Sequence, residues 1–228
     1  MFEVTLPFPE ESVVMPSEVP VFPLESMALL PGEPMPLRIF EERYKIMTEH
    51  ALSDGKFIAI AGIQSGNSLP YSICGLGRIA MEEKLKDGCF NLVLVGIKRI
   101  KVRSYSQRKP YLKGEIEILE DTFSQTAVSV INSLSEQVYD LGRQVLAIRK
   151  KSQKDVSYAD LESLPYDLLP LGMLCDLFSA ALSLPHLEKQ MILEETDAVR
   201  RAEKLIFTLR FELEKQHSSQ IFFPSTLQ

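Results

Sequence analysis

Close to Asp121, the hydrophobic pattern of this 228-residue sequence changes from mainly strand-like to entirely helical. Before that point, short stretches alternate between apolar and polar residues, with period two. One predicted face of the last stretch contains Leu112, Gly114, Ile116 and Ile118. After that point, the apolar residues recur at steps of three and four. These residues are Val128, Ile131, Leu134, Val138, Leu141, Val145 and Ile148. Because period two is typical of strands and period 3.6 of helices, the sequence predicts an α+β protein with its β part first.

The first half is predicted to form a small barrel or strongly bent sheet with one embedded helix. Residues 19–24 are extended, and Pro20 and Pro23 favour an edge position because proline cannot donate to a strand ladder. Apolar spacing predicts the helix over residues 41–53. Asp87-Gly88 predicts a hairpin turn. The other predicted strands cover residues 35–39, 57–61, 75–83, 90–102 and 112–120.

The second half is predicted to be a helical subdomain. A long helix covers residues 123–151, and prolines separate shorter helices at about 168–183 and 185–195. Thr196-Asp197 is predicted to cap a last helix. The apolar face of this helix contains Ala202, Leu205, Ile206, Leu209 and Leu213. The predicted organisation is an arm at 1–18, a β domain at 19–121, a helical subdomain at 122–217 and a tail at 218–228.

Charge and cysteine content limit the class of protein. The formal net charge of −6 disfavours non-specific nucleic-acid binding, which depends on Lys and Arg neutralising phosphates. Cys74, Cys89 and Cys175 are an odd number of separated cysteines, which predicts buried reduced thiols. The first residues lack the features of a signal peptide, and no apolar run is long enough to span a bilayer. These features favour a cytoplasmic location, whereas nothing in the sequence indicates an oligomeric state.

No catalytic or cofactor-binding motif is evident. Gly75-Leu76-Gly77-Arg78-Ile79-Ala80 fits G-x-G-x-x-A, but a strand pattern follows it where a dinucleotide fingerprint needs a helix, so we interpret both glycines as part of a bent strand. Phosphate-binding loops and common zinc motifs do not occur. His50, His186 and His217 have no nearby cysteine partner in sequence. The sequence therefore predicts a protein that is not an enzyme and has no cofactor or metal.

A basic segment is the first candidate binding surface. Tyr105 and Tyr111 lie among its basic residues, which are Lys98, Arg99, Lys101, Arg103, Arg108, Lys109 and Lys113. Such a segment can follow a nucleic-acid backbone and stack bases. Because the rest of the sequence is acidic, we favour the interpretation that it is a solvated strand whose charges prevent edge-to-edge aggregation.

The second candidate surface is the apolar loop of Met27, Leu29, Leu30 and Pro31. Apolar residues in a Pro/Gly turn are costly to expose unless they pack on the protein itself or on a partner. Both possibilities remain open from the sequence. As a binding surface, this loop would contact a polypeptide or a partner protein.

Several short motifs, in order, resemble the N-terminal (substrate-binding) domain of Lon protease. They are Val21-Phe22-Pro23-Leu24, Leu30-Pro31-Gly32, Pro36-Leu37-Arg38-Ile39-Phe40-Glu41, Arg43-Tyr44, Gly77-Arg78-Ile79, Asp87-Gly88, Gly96-Ile97-Lys98-Arg99, Pro110-Tyr111-Leu112, Glu120-Asp121, Glu188-Lys189-Gln190 and Leu193-Glu194. The resemblance covers about residues 19–212. It departs from the family at Glu42, where proline is common.

The resemblance implies a PUA-like small β-barrel followed by a helical bundle. It also implies a stand-alone bacterial member without ATPase or protease domains, which binds polypeptides or partner proteins in protein quality control. RNA binding through Lys98–Lys113 is the alternative that a PUA-like fold suggests. Among the matched residues, we expect Phe22, Leu37, Phe40 and Tyr44 to fill the core. Arg38 is expected to pair with Glu41.

Overall fold

A computed structural model describes residues 14–63, 70–107, 109–123, 125–152, 161, 166–182 and 184–221, without the side chains of 149–152 and 216–221. The strands are β1 (Glu18–Glu25), β2 (Pro34–Ile39), β3 (Phe57–Ile63), β4 (Ile73–Lys84), β5 (Phe90–Ser106) and β6 (Leu112–Leu119). The helices are α1 (Glu42–Ser53), α2 (Val128–Ser152), α3 (Leu171–Ala181), α4 (His186–Glu194) and α5 (Ala198–Ile221). The predicted order of strands and helices is thus observed.

The chain forms two compact units, and the boundary between them is crossed more than once. The first unit contains the residues up to Glu120 together with Ser183–Thr196, and the second contains Asp121–Leu182 and the residues from Asp197 onward. The predicted helical subdomain at 122–217 therefore differs from the observed division, because α4 belongs to the first unit. Helical periodicity identifies a helix, but it does not identify the surface that the helix covers.

The first unit is built on a six-stranded mixed sheet with the order β2-β5-β4-β3-β1-β6. β5 is the longest strand and also pairs with β6. Strand pairing therefore runs from β5 through β4, β3, β1 and β6 and back to β5. Four of these strands supply the buried members of one apolar core cluster, and β6 packs the partly buried Leu112, Ile116 and Ile118 against it. Its buried members are Val19, Val21, Phe57, Ala59, Ala61, Cys74, Leu76, Ile100 and Val102. β2 lies outside this set and extends the sheet beyond β5.

The prediction that the segment around Pro20 and Pro23 forms an edge strand is wrong. β1 lies between β6, to which it is antiparallel, and β3, to which it is parallel. Its two halves nevertheless have different neighbours: residues 18–21 pair with β6 and residues 21–25 pair with β3. Each proline is therefore paired on one side of the strand only. Its missing N–H donor is tolerated because, among the described residues, the other side of the strand has no partner at that position.

A second core cluster covers the opposite face of the sheet. α1 contributes Tyr44, Met47 and Ala51 to this cluster, and Phe22 packs on Tyr44 with ring centroids 4.4 Å apart. Other buried members are Leu29, Met35, Ile39, Ile58, Ile60, Ile79, Phe90, Leu92, Leu94 and Tyr111. The predicted core role of Phe22 and Tyr44 is confirmed. Leu37 is half-buried and packs against the cluster, whereas the core prediction for Phe40 is wrong, because its side chain is 65% exposed.

α4 is fixed to the first unit by polar side chains. Gln190 donates through Nε2 to the carbonyl of Ile73, at 3.0 Å, and Arg99 donates through Nε to the carbonyl of Leu193, at 3.2 Å. Lys189 forms an ion pair with Glu33, and the side chains of both are mostly buried. Because buried charges are costly unless paired, these contacts favour one position of α4.

Within the described residues, the second unit contains α2, α3 and α5, which pack on one another. Phe178 lies against α2 at Gly142, where a Cβ atom would come within 2.3 Å of its ring. Arg201 is fully buried and pairs with Asp121 at 2.6 Å and with Asp176 at 3.6 Å. The expected cap of α5 is confirmed, since Asp197 Oδ1 accepts from the N–H of Val199 at 2.9 Å.

Candidate functional site

The structure places the predicted apolar loop mainly inside the first unit. Leu29 and Leu30 are 0% exposed, whereas Met27 is partly exposed and Pro31 is half-buried. Leu29 belongs to the core cluster that α1 covers. The two leucine side chains are therefore core residues rather than partner contacts. Only Met27 and Pro31 of the predicted set reach the surface.

The loop crosses the sheet at glycines. A Cβ atom on Gly75 would lie 2.0 Å from the carbonyl oxygen of Leu29, and one on Gly96 would lie 2.0 Å from that of Leu30. Backbone hydrogen bonds join the same segments, because Gly32 donates to Gly96 at 2.8 Å and Gly96 donates to Glu33 at 2.9 Å. The interpretation of Gly75 and Gly77 as strand glycines is confirmed, and β4 also has a register shift at Leu76/Gly77.

Acidic residues face much of the basic segment. Lys98 pairs with Glu120 at 3.0 Å, Arg103 with Glu117 at 2.9 Å, and Lys113 with Glu18 at 2.5 Å.

Other members of this segment have different surroundings. Arg99 and Tyr111 are buried, Lys101 and Lys109 are exposed, and Arg108 lies outside the described residues. Residues 98–113 contain no acidic residue, but in the structure acidic residues on β1, on β6 and just beyond β6 face them. This pairing reduces the positive charge available to a phosphate backbone.

An apolar row faces solvent where the sheet extends to β2. Val93 of β5 is paired with Pro36 on one side and with Met81 on the other. Cross-strand partners lie on the same face of a sheet, side by side. Pro36 and Met81 are exposed, Met81 at 46%, and Val93 is half-buried. We call Pro36, Val93 and Met81 the apolar row.

Polar groups lie on the same face beside the apolar row. In the next position along the strands, Arg38 is paired with Asn91, which is paired with Glu83. Asn91 donates through Nδ2 to Glu83 at 2.9 Å, and Arg38 lies 3.8 Å from Asp87. The predicted pair of Arg38 with Glu41 is therefore wrong: Glu41 contacts Arg43 instead, at 2.9 Å.

The free side of β2 offers few donors to an added strand. Within the described residues, β2 pairs only with β5. Pro34 and Pro36 are two residues apart, so their missing N–H groups fall on the same side of the strand. All six residues of β2 pair with β5. The positions that lack an N–H group therefore fit the outer side of β2, which faces away from β5. Contact with this part of the sheet is therefore expected through side chains on its face.

Over the described part of the chain, no group of three or more His, Cys, Asp or Glu side chains could hold a metal ion. His50 lies at 2.7 Å from the Tyr111 hydroxyl through Nδ1, in a part-buried contact. The pKa of Tyr111 is raised mainly because the phenol is removed from water. His186 is half-buried, and the side chain of His217 is not among those described.

The sequence places the chain in a known family of domains. Residues 18–210 match the family model described as the ATP-dependent protease La (LON) substrate-binding domain, and the chain belongs to this family. Lon protease 2 of Myxococcus xanthus is 26% identical over 201 residues, covering 86% of this chain and 24% of that protein. Lon protease of Dictyoglomus thermophilum is 26% identical over 205 residues, covering 88% of this chain and 25% of that protein. The chain thus spans about a quarter of the length of these curated relatives.

Solved structures share the fold. A Lon N-terminal domain protein from Xanthomonas campestris is similar, with a TM-score of 0.60 and 24% identity, over 83% of this chain and 96% of that chain. The N-terminal domain of Mycobacterium avium complex Lon protease gives a TM-score of 0.61 at 18% identity, over 85% of this chain and 98% of that chain. Among the described residues, no helix combines the length and apolar character that crossing a membrane requires.

Proposed function

We propose that this chain is a non-catalytic module that binds unstructured polypeptides, or unstructured segments of partner proteins, through the apolar row. The observation that carries the proposal is the solvent-facing alignment of Pro36, Val93 and Met81 in a Lon substrate-binding domain. Methionine suits this role because its flexible, polarizable side chain adapts to varied apolar partners. Service in protein quality control in the cytoplasm, and a PUA-like barrel as the fold of the first unit, belong to the same proposal.

Neighbouring residues support this position of the surface. Phe40 follows the same alternation as Pro36 and Arg38, and it is exposed beside the end of β2. Polar groups around an apolar centre are typical of surfaces that bind reversibly. Met27 and Pro31 remain proposed secondary contacts of the loop.

The test is the affinity for a permanently unfolded polypeptide, such as fluorescent, reduced and alkylated casein. Met81→Ser should weaken binding about tenfold, because one well-placed apolar contact contributes about 1–2 kcal/mol. Met191→Ser is the matched control, since Met191 is a methionine of the same unit that is 56% exposed on α4. Fluorescence anisotropy measures both. Equal effects of the two substitutions would contradict the assignment of the apolar row.

RNA binding through Lys98, Arg99, Lys101, Arg103, Arg108 and Lys109 has weaker support, because acidic partners face Lys98 and Arg103 and because Arg99 is buried. Salt distinguishes the two functions. RNA affinity should fall steeply as salt rises, whereas apolar capture of a polypeptide should change little. Retention of single-stranded RNA at low ionic strength, lost with Arg103→Gln, would favour the RNA function instead.

A further inference from the structure

α5 exposes two aromatic side chains on the face that it turns away from its own unit. Phe207 is 76% exposed and Phe211 is 58% exposed. The opposite face of the helix is buried, through Ala202, Leu205 and Leu209. Two phenylalanines one turn apart on a helix form a continuous apolar surface, which is costly to leave in water.

Charged residues extend this surface in both directions with the spacing of a coiled-coil seam. Lys204 precedes Phe207 by three residues, and Glu214 follows Phe211 by three. The steps of three, four and three residues place these four side chains on one stripe of the helix. All four are exposed. We call Lys204, Phe207, Phe211 and Glu214 the α5 stripe.

The α5 stripe is complementary to itself when reversed. Lys204 and Glu214 lie equally far from the helix position of Leu209, and so do Phe207 and Phe211. In an antiparallel pair of α5 helices related by a two-fold axis at that position, each Phe207 faces Phe211 of the other copy. Each Lys204 then faces Glu214 of the other copy. The flanking residues Glu203 and Lys215 match in the same way.

The opposite orientation is unfavourable. A parallel pair in register would place Lys204 against Lys204 and Glu214 against Glu214, and like charges in contact weaken association. The charge pattern thus selects the antiparallel arrangement. An interface that uses the same patch on both copies is the ordinary basis of a closed two-fold dimer.

We propose that two copies of this chain associate through the α5 stripe as an antiparallel, two-fold symmetric pair. The occupant of the exposed aromatic surface is the same surface of a second copy. The four phenyl rings form the centre of the contact, and the ion pairs on either side of it set its direction. This association uses the second unit and is independent of the apolar row on the first.

Charge reversal tests the proposal by sedimentation analysis of the whole chain from micromolar to submillimolar concentration. Lys204→Glu and Glu214→Lys should each raise the dimer dissociation constant about tenfold or more, because each places like charges in contact. The double variant with both changes should dimerise like the unaltered chain, because the pairs are restored with opposite polarity. Phe207→Ala with Phe211→Ala should abolish the dimer.

Mixing the two charge-reversal variants gives a second test of the antiparallel pairing. The Lys204→Glu and Glu214→Lys variants should form a mixed dimer with each other, since every pair across that interface is again of opposite charge. Leu168→Ala is the control, because Leu168 is 77% exposed in the same unit but lies outside α5. It should leave the dimer unchanged. A wild-type chain that stays monomeric throughout, or a double variant as weak as the single ones, would overturn the proposal.

Discussion

Buried polar side chains hold together parts of the first unit that are far apart in sequence. Glu33 accepts a hydrogen bond from the N–H of Leu30 at 3.0 Å and pairs with Lys189, 156 residues away. Arg99 is 4% exposed and its guanidinium reaches the carbonyl of Leu193. Removing one partner of such a contact leaves a buried polar group unsatisfied, at a cost of about 1–3 kcal/mol. These residues are therefore structural, although in the sequence Arg99 belongs to a basic surface segment.

Cys74 provides a prediction at this scale. Burial in the strand core raises the pKa of its thiol from 9.0 to about 12. At pH 8 only about one folded molecule in ten thousand would carry the reactive thiolate at this position. We expect Cys74 to resist alkylation by iodoacetamide at that pH in the native protein and to react once the chain is denatured. Mass spectrometry of the labelled peptides measures this.

The same pKa shift has a consequence for stability. Above about pH 9 the unfolded chain loses the Cys74 proton while the folded chain keeps it, so the free energy of unfolding falls as the pH rises. The free energy of unfolding, measured with urea, should therefore fall between about pH 8 and pH 10.5. The fall should be about 1–2 kcal/mol larger for the wild type than for Cys74→Ala. Rapid native labelling of Cys74, or equal pH dependence of the two chains, would contradict the burial of this thiol.

At the scale of elements, the main feature is a loop backbone that lies directly on strands. Gly75 and Gly96 leave the space into which the carbonyl groups of Leu29 and Leu30 fit. In the sequence, Gly75 and Gly77 resemble part of a nucleotide-binding motif, and the loop resembles an exposed apolar surface. The close approach of loop and strands accounts for both features, because the glycines leave room for the loop backbone and the apolar loop residues pack on the sheet.

Gly96→Ala should destabilise the first unit by about 1–3 kcal/mol, because the new methyl group would overlap the Leu30 carbonyl and displace the loop. Gly75→Ala should have a similar effect through Leu29. Since a single displacement of the loop relieves both overlaps, the double variant should lose less than the sum of the two. Urea unfolding of the three variants measures this coupling. Wild-type stability in Gly96→Ala would show that the loop does not lie against β5.

Local patterns predicted the elements well, but not their neighbours. The alternation at residues 112–120 and the helical spacing at 41–53 correspond to β6 and α1, because both patterns depend on near residues in sequence. The position of β1 between β6 and β3 depends on pairings with residues near 60 and 114. No local pattern contains that information. The predicted edge position failed for this reason.

The candidate site shows the same limit at the scale of the whole molecule. Pro36, Val93 and Met81 become neighbours only through the register of three strands. Their separation in sequence hides the apolar row, although the alternation of Pro36, Arg38 and Phe40 with Met35, Leu37 and Ile39 could have indicated an exposed face on β2. Family resemblance was recognisable from ordered short motifs, and residues 18–210 match the Lon substrate-binding domain. The place of α4 in the first unit was not recognisable, although the sequence predicted a boundary close to Glu120.

The most direct test of the proposed function is to observe the methionine methyl groups while an unfolded polypeptide binds. The sequence has eight methionines, among them the exposed Met81 and Met191 and the buried Met47. In a ¹³C-methyl-methionine sample titrated with reduced and alkylated casein, the Met81 signal should shift or broaden in proportion to binding. The signals of Met191 and Met47 should stay unchanged. Binding that leaves Met81 unaffected while Met191 responds would contradict the assignment of this surface.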